Sequence, residues 1–275
     1  MTAPGPDGRF ADLGQRVLSA LVLVALAATD LWLGGLAVIL GVGVLASLMV
    51  WEYRRMVAGS RGGIDQIMMI SVATAFLTVL VAGNVSLLSG ILVLMAGTSI
   101  VALLDQPRAA WMMGGLFYII TAMAYLVHLR LRSGETDEAG LLTVVWIIGV
   151  VVAADIAAYF VGRLVGGPKL WPRVSPGKTW SGAVGGLVAA SLAGAGFALY
   201  AGQAVVPVAV LSLAIGIAAQ AGDLLESAVK RHYGVKDSGR LIPGHGGVLD
   251  RLDALSGALV FIALFELIDY ALPVI

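Results

Sequence analysis

LLTVVWIIGVVVAADIAAYFVG, residues 141–162, runs for twenty-two residues with one charge, Asp155. A helix crosses the hydrocarbon core of a bilayer with about 20 apolar residues, so this stretch is long enough to span and too apolar to coat a globule in water. Comparable runs flank it on both sides: 17–33, 35–51, 66–83, 86–104, 110–129, 181–201, 204–222 and 254–273. Hydrophobic residues make up 59% of the chain and charged ones 12%, about half the charged share of a soluble domain. The expected fold is therefore all-α, a polytopic membrane bundle of about nine transmembrane helices.

The count rests on a second observation. Only Asp30 and the Gly34-Gly35 pair separate the first two runs, and merging them would give eight. Lys and Arg collect on the cytoplasmic side of a membrane. Nine spans with a cytoplasmic N-terminus place fifteen of the seventeen basic residues on that side and leave Arg130 and Arg132 opposite. Eight spans move Arg9 and Arg16 to the wrong side, so nine is adopted, with the C-terminus outside. Residues 1–16 read as a cytoplasmic tail before a retained helix and 17–275 as one membrane domain. Within it, 17–130 form a scaffold or oligomer contact, a homodimer being admitted, and 141–275 carry the chemistry. The balanced charge offers nothing to a nucleic acid, and the absence of cysteine excludes thiol nucleophiles, thiolate metal sites and disulfides.

Polar residues concentrate in two long loops, about 163–180 and 223–253. Asp223, Ser227 and Lys230 recur at helical spacing and share a face. An acid, a hydroxyl and a base there suit a cation and a phosphate, although Glu226 and Lys230 also read as an ordinary i,i+4 pair. Magnesium prefers one or two carboxylates and completes its octahedron with water and phosphate oxygens. Asp223 and Asp250, at opposite ends of the second loop, are the expected metal pair, with a second cation admitted. The glycines of Pro243-Gly-His-Gly-Gly let a backbone approach a ligand and present amides as an anion nest, with Lys236, Arg240 and Arg251 around it; a plain turn, with His245 structural, is the alternative. Ser175, Lys178 and Thr179 are placed at the N-terminus of the seventh span, where free amides attract anions, or else serve as a simple cap. Walker spacing is absent. In the sixth span Asp155, Tyr159 and Arg163 lie at i, i+4 and i+8 on one face. An aspartate at such depth costs about 2.5–3.5 kcal/mol on insertion scales, which points to the bundle interior and a partner in Arg163, Lys178 or a metal.

The stretch Ser227-x-x-Lys230-Arg231-x4-Lys236-Asp237-x5-Pro243-x-His245-Gly246-Gly247-x-x-Asp250-Arg251-x-Asp253 resembles the diagnostic signature of the phosphatidate cytidylyltransferases, bacterial type, at every fixed position. Asp155-x-x-x-Tyr159-x-x-Gly162-Arg163 and Ser175-Pro-x-Lys178-Thr179 are also similar; Ser181 stands where many members carry an acid. The likeness is detailed in the C-terminal half and extends to the N-terminal half only in hydropathy.

The resemblance implies an inner-membrane enzyme that joins CTP to phosphatidic acid with magnesium, releasing CDP-diacylglycerol and pyrophosphate at the cytoplasmic face. On that basis Asp223 and Asp250 hold the cation, and Lys230, Lys236, Arg251 and the Gly246 and Gly247 amides hold the triphosphate. Ser175, Lys178 and Thr179 hold the phosphatidate or α-phosphate, though the two phosphate clusters are interchangeable at this stage. Ser227, Arg231, Asp237, His245, Asp253, Asp155, Tyr159 and Arg163 complete the substrate site. Two rivals remain: a cytidylyltransferase for another lipid phosphate, such as an isoprenoid ether, and an ion-coupled transporter using Asp155 and Asp223.

Overall fold

The computed structural model describes residues 8–59, 64–132, 138–242, 244 and 246–268. Among the described residues nine α-helices follow in the expected order: α1 Gly8–Leu33, α2 Gly35–Ala58, α3 Gln66–Asn84, α4 Leu87–Leu104, α5 Ala109–Leu131, α6 Glu138–Leu164, α7 Trp180–Tyr200, α8 Val205–His232 and α9 Leu249–Leu267. Seven of them, α2 to α8, are long and apolar enough to cross a membrane, α5 together with the 3-10 turn that precedes it. The apolar part of α1 is shorter, Val17–Leu33, and α9 carries Asp250, Arg251, Asp253 and Glu266. The last expected span was drawn to residue 273, and 269–275 lie outside the described residues. Large apolar side chains such as Leu21, Leu92, Val188 and Leu192 face outward, as lipid-solvated helices require.

Gly34 does separate the first two helices: its φ of 63° with ψ of −155° breaks the ladder between α1 and α2. Two expectations about boundaries need correction. The tail expected over 1–16 is helical from Gly8 onward. The segment after α6 is not a loop feeding directly into a helix but a β-hairpin, β1 Lys169–Trp171 against β2 Ser175–Thr179, antiparallel with Lys169 opposite Thr179 and Trp171 opposite Ser175. Glycines at positive φ, Gly166 and Gly167, end α6 and turn the chain into it.

Helices α2 to α5 pack as one group and α6 to α8 as another, with α9 lying against both α5 and α8. A stripe of small buried residues on α7, Gly182, Gly186, Ala190, Gly194 and Ala198, lets α6 and α8 close on it. At the crossing of α8 and α9 the backbones nearly touch: a Cβ on Gly257 would stand 2.5 Å from the Ala218 carbonyl oxygen and 2.8 Å from the Gly222 Cα. That contact sets Asp223 beside the first turn of α9.

The two ends of the bundle differ in chemistry. At one end Arg54 pairs with Asp65 (3.1 Å) and Asp105 (3.5 Å), Arg108 pairs with Asp105 (2.9 Å), and Trp111 stacks on His232 at 4.5 Å. At the other, Arg130 donates to the Leu31 carbonyl (2.7 Å) and Arg132 pairs with Glu266 (2.7 Å). The hairpin and the 233–248 loop belong to the first end, where Arg231 donates to the carbonyls of Val174 (3.3 Å) and Val235 (3.0 Å) and so clasps one to the other.

Candidate active site

A cavity of about 570 Å³ lies between α6, the hairpin, α7 and α8. Asp155, Tyr159 and Arg163 enter it from α6, Lys169 and Lys178 from the hairpin, and Gln220 and Asp223 from α8. The helical spacing read from the sequence therefore does put the α6 residues on one wall. Lys178 Nζ stands 2.6 Å from Asp223 Oδ2, and Ser227 donates to Asp223 Oδ1 at 3.3 Å. Arg163 donates to the Tyr159 hydroxyl at 2.8 Å. Within a low-dielectric wall each of these charges acts more strongly than it would in water.

The anion site expected at a helix N-terminus does not form as drawn. Ser175 and Lys178 are strand residues of β2, and only Thr179 caps α7. Its hydroxyl accepts from Gly182 N at 3.1 Å and meets Ser181 Oγ at 3.0 Å, so its capacity is spent on the cap. Ser181 also donates to the Gly166 carbonyl and ties the hairpin to its entry turn. Lys178 reaches the cavity as a strand side chain, through pleat alternation instead of a helix dipole.

The 233–249 loop is organised around Asp250. Oδ1 accepts from Lys230 Nζ at 2.7 Å; Oδ2 accepts from Ser238 N at 2.9 Å, Ser238 Oγ at 2.9 Å and Gly247 N at 3.0 Å. Burial alone would raise this carboxyl, but Lys230 and the Gly247 and Ser238 amides outweigh it and hold it below the ordinary carboxylate range. Lys230 also lies 3.4 Å from Glu226. One turn further, burial pushes the Asp253 carboxyl up, and the Asp223 charge pushes it further against a hydrogen bond from Glu226.

The residues expected to act together are thus divided among neighbouring compartments. Asp223 and Asp250 pair with different lysines, and the Asp223 charge acts on the carboxyls of Asp155 and Asp253. The Gly247 amide serves Asp250 and is not a free nest donor, while Gly246, at φ 88°, accepts from Ile242 N at 2.9 Å to close the turn. Lys236, Asp237 and Arg240 line a second cavity of about 780 Å³, facing Trp51, Glu52 and Arg55 of α2. Arg251 lines a third of about 260 Å³ with Asp30 and Asp155. His245 lies outside the described residues.

Three contributors escaped the sequence reading. Lys169 and Gln220 line the first cavity. Glu52, 1% exposed, reaches the loop from α2. For Glu52 the signal was present: an acid at the end of an apolar run, the same argument that singled out Asp155. Lys169 and Gln220 carried no comparable mark.

Among the described residues no group of three or more His, Asp or Glu is assembled as a cation cage. A magnesium ion needs no such cage, because water and phosphate oxygens supply most of its ligands. Asp223, with its side chain 27% exposed on the cavity wall, fits as one ligand. Asp250 fits only if Lys230 gives way, since both of its oxygens are already engaged.

Residues 14–268 match the model of the cytidylyltransferase family. A phosphatidate cytidylyltransferase of Brucella suis is 40% identical over 263 residues, covering 93% of this chain and 94% of the relative. Those of Pseudomonas aeruginosa (35% identical, 95% and 100% covered) and Haemophilus influenzae (34%, 92% and 98%) are also similar from end to end. With the match running through α1 to α5 as well as the signature loop, the chain belongs to the cytidylyltransferase family.

Proposed function

We propose that this chain is an integral membrane phosphatidate cytidylyltransferase, converting CTP and phosphatidic acid to CDP-diacylglycerol and pyrophosphate in phospholipid synthesis. The observation that carries the reading is the Lys178–Asp223 pair at 2.6 Å in the wall of a cavity that also bears Arg163, Lys169 and Asp155. Cations and carboxylates alternate there as a metal-bridged phosphate contact requires. The end-to-end likeness to named enzymes supplies the substrate class.

In the reaction a phosphate oxygen of the lipid attacks the α-phosphorus of CTP, the bond to the bridging oxygen breaks, and pyrophosphate leaves. No protein nucleophile is needed; catalysis is positioning and neutralisation of charge. Magnesium, when bound, would supply charge stabilisation at the phosphate oxygens, with Asp223 as a ligand and Asp250 joining if Lys230 swings to phosphate. Lys178 and Arg163, both on the wall of the first cavity, would serve as the cations for the lipid phosphate. Lys230 and Lys236 face the nucleotide's β- and γ-phosphates. The Thr179 cap and the Arg231 clasp keep hairpin and loop in register.

The same reading sets the chain as nine spans in a bacterial inner membrane, N-terminus in and site toward the cytoplasm. Helices α1 to α5 act as scaffold and α6 to α9 as the reacting part. An end rich in charge opposite an end with few suits one-sided chemistry better than a transport path.

The test is turnover of labelled CTP by purified protein in detergent, with magnesium and diacyl phosphatidate and no membrane gradient. CDP-diacylglycerol and pyrophosphate should appear in equal amounts. If CTP persists with the diacyl acceptor but is consumed with an isoprenoid-ether phosphate, the acceptor is wrong; persistence with both removes the enzyme reading.

A further inference from the structure

Glu52 sits at the end of a membrane helix in the half of the chain that carries no signature residue, yet its side chain is 1% exposed and aimed at the signature loop. Its Oε2 accepts from Leu249 N at 2.9 Å, 197 positions away, and meets Ser238 Oγ at 3.3 Å. The Ser238 hydroxyl has one proton to give and stands closer to Asp250 Oδ2, at 2.9 Å, so its oxygen lies between the two carboxylates. The opening of the loop (Ser238) and its close (Leu249) are therefore held by one carboxylate from another helix.

The loop is shaped around that carboxylate. A Cβ on Gly239 would stand 2.1 Å from Glu52 Oε1, and one on Gly247 would stand 2.6 Å from Oε2. Those two glycines leave the room that the acid fills. A buried carboxylate is costly unless its partners hold it, and a surface pairing would not account for its aim into the loop.

We propose that Glu52 is a positioning residue: from α2 it fixes the 238–249 loop so that Asp250, Lys230 and the lining of the second cavity stand ready for the nucleotide phosphates. This rests on the cytidylyltransferase reaction argued above. Glu52, 1% exposed, acts through Ser238 and Leu249.

The experiment uses the full-length protein in detergent and two variants. Glu52→Ala removes both contacts. Glu52→Gln keeps the size and an acceptor oxygen for Leu249 N. Hydrogen exchange over 238–249 should accelerate about tenfold or more in Glu52→Ala, with the hairpin and α7 segment 169–190 exchanging as in the native protein. In the same variant kcat/KM for CTP should fall on the order of tenfold, carried by KM for CTP, with KM for phosphatidate unchanged. Glu52→Gln should recover most of both.

Native exchange over 238–249 in Glu52→Ala overturns the proposal. So does a loss borne equally by both substrates alongside loosening of 169–190, which marks a purely structural residue, or a Glu52→Gln protein no better than Glu52→Ala. If the native protein itself leaves CTP intact, the reaction is wrong, and exchange alone decides whether Glu52 holds the loop.

Discussion

Replacing Asp250 by asparagine tests the centre of the loop. In the native protein its four contacts divide three to Oδ2 and one, from Lys230 at 2.7 Å, to Oδ1. The amide keeps one oxygen, which satisfies the Oδ2 side, and turns an N–H donor toward the Lys230 ammonium. Both side chains are nearly buried, 10% exposed for Lys230 and 6% for Asp250. Removing one member of a buried pair costs about 3–5 kcal/mol; Glu226, 3.4 Å from Lys230, keeps part of the compensation, and roughly 2–4 kcal/mol remains. On the usual scale for chains of this size the unfolding midpoint drops by roughly 5–10 °C, read by thermal unfolding in detergent at pH 7, and turnover of CTP falls at least tenfold.

The pH dependence has a definite sign. The folded Asp250 carboxyl is held below its ordinary value, so its contribution is present above the unfolded value of about 3.9 and is lost as pH falls through the folded one. The gap in midpoint between native protein and Asp250→Asn should therefore hold down to about pH 4 and narrow as the pH falls further. An unchanged midpoint at pH 7, or a gap that persists undiminished in acid, refutes the account of the loop.

Lys178→Ala should leave the stability within about 1 kcal/mol of native, because the pair is partly solvated, yet lower turnover at least tenfold in the CTP assay. Gly257→Ala drives a methyl to 2.5 Å from the Ala218 carbonyl; the overpacking should cost about 1–3 kcal/mol by thermal unfolding and reduce activity through displacement of Asp253 from Asp223. Thr179→Val removes the cap on Gly182 N and should cost about 1 kcal/mol, with hydrogen exchange rising first at the start of α7. Chelation of divalent cations should abolish turnover and added magnesium restore it; activity that survives chelation removes the metal role given to Asp223.

The helices were legible because their signal is local. A run such as 141–162 states its solvent by composition alone. The signature loop was legible as a motif, with its charges and glycines adjacent in the chain. The hairpin was not: Ser175–Thr179 is five residues long, a strand exists only by pairing with Lys169–Trp171, and a Ser-Pro before an apolar run reads equally well as a helix start. Nor was the partner of each charge, because opposite charges of similar reach lay on every side of the loop.

What the chain's own order of residues determined was the medium, the succession of helices and the family, since lipid solvation and motif spacing depend on neighbours a few positions apart. Which acid meets which base was decided only in three dimensions. The crossing of α8 and α9 at Gly222 and Gly257 sets Asp223 by Asp253, the hairpin carries Lys178 to Asp223, and α2 brings Glu52 to a backbone amide 197 residues away. Such contacts are chosen by backbone approach and by the cost of leaving a buried charge unpaired, and no periodicity along the chain records either.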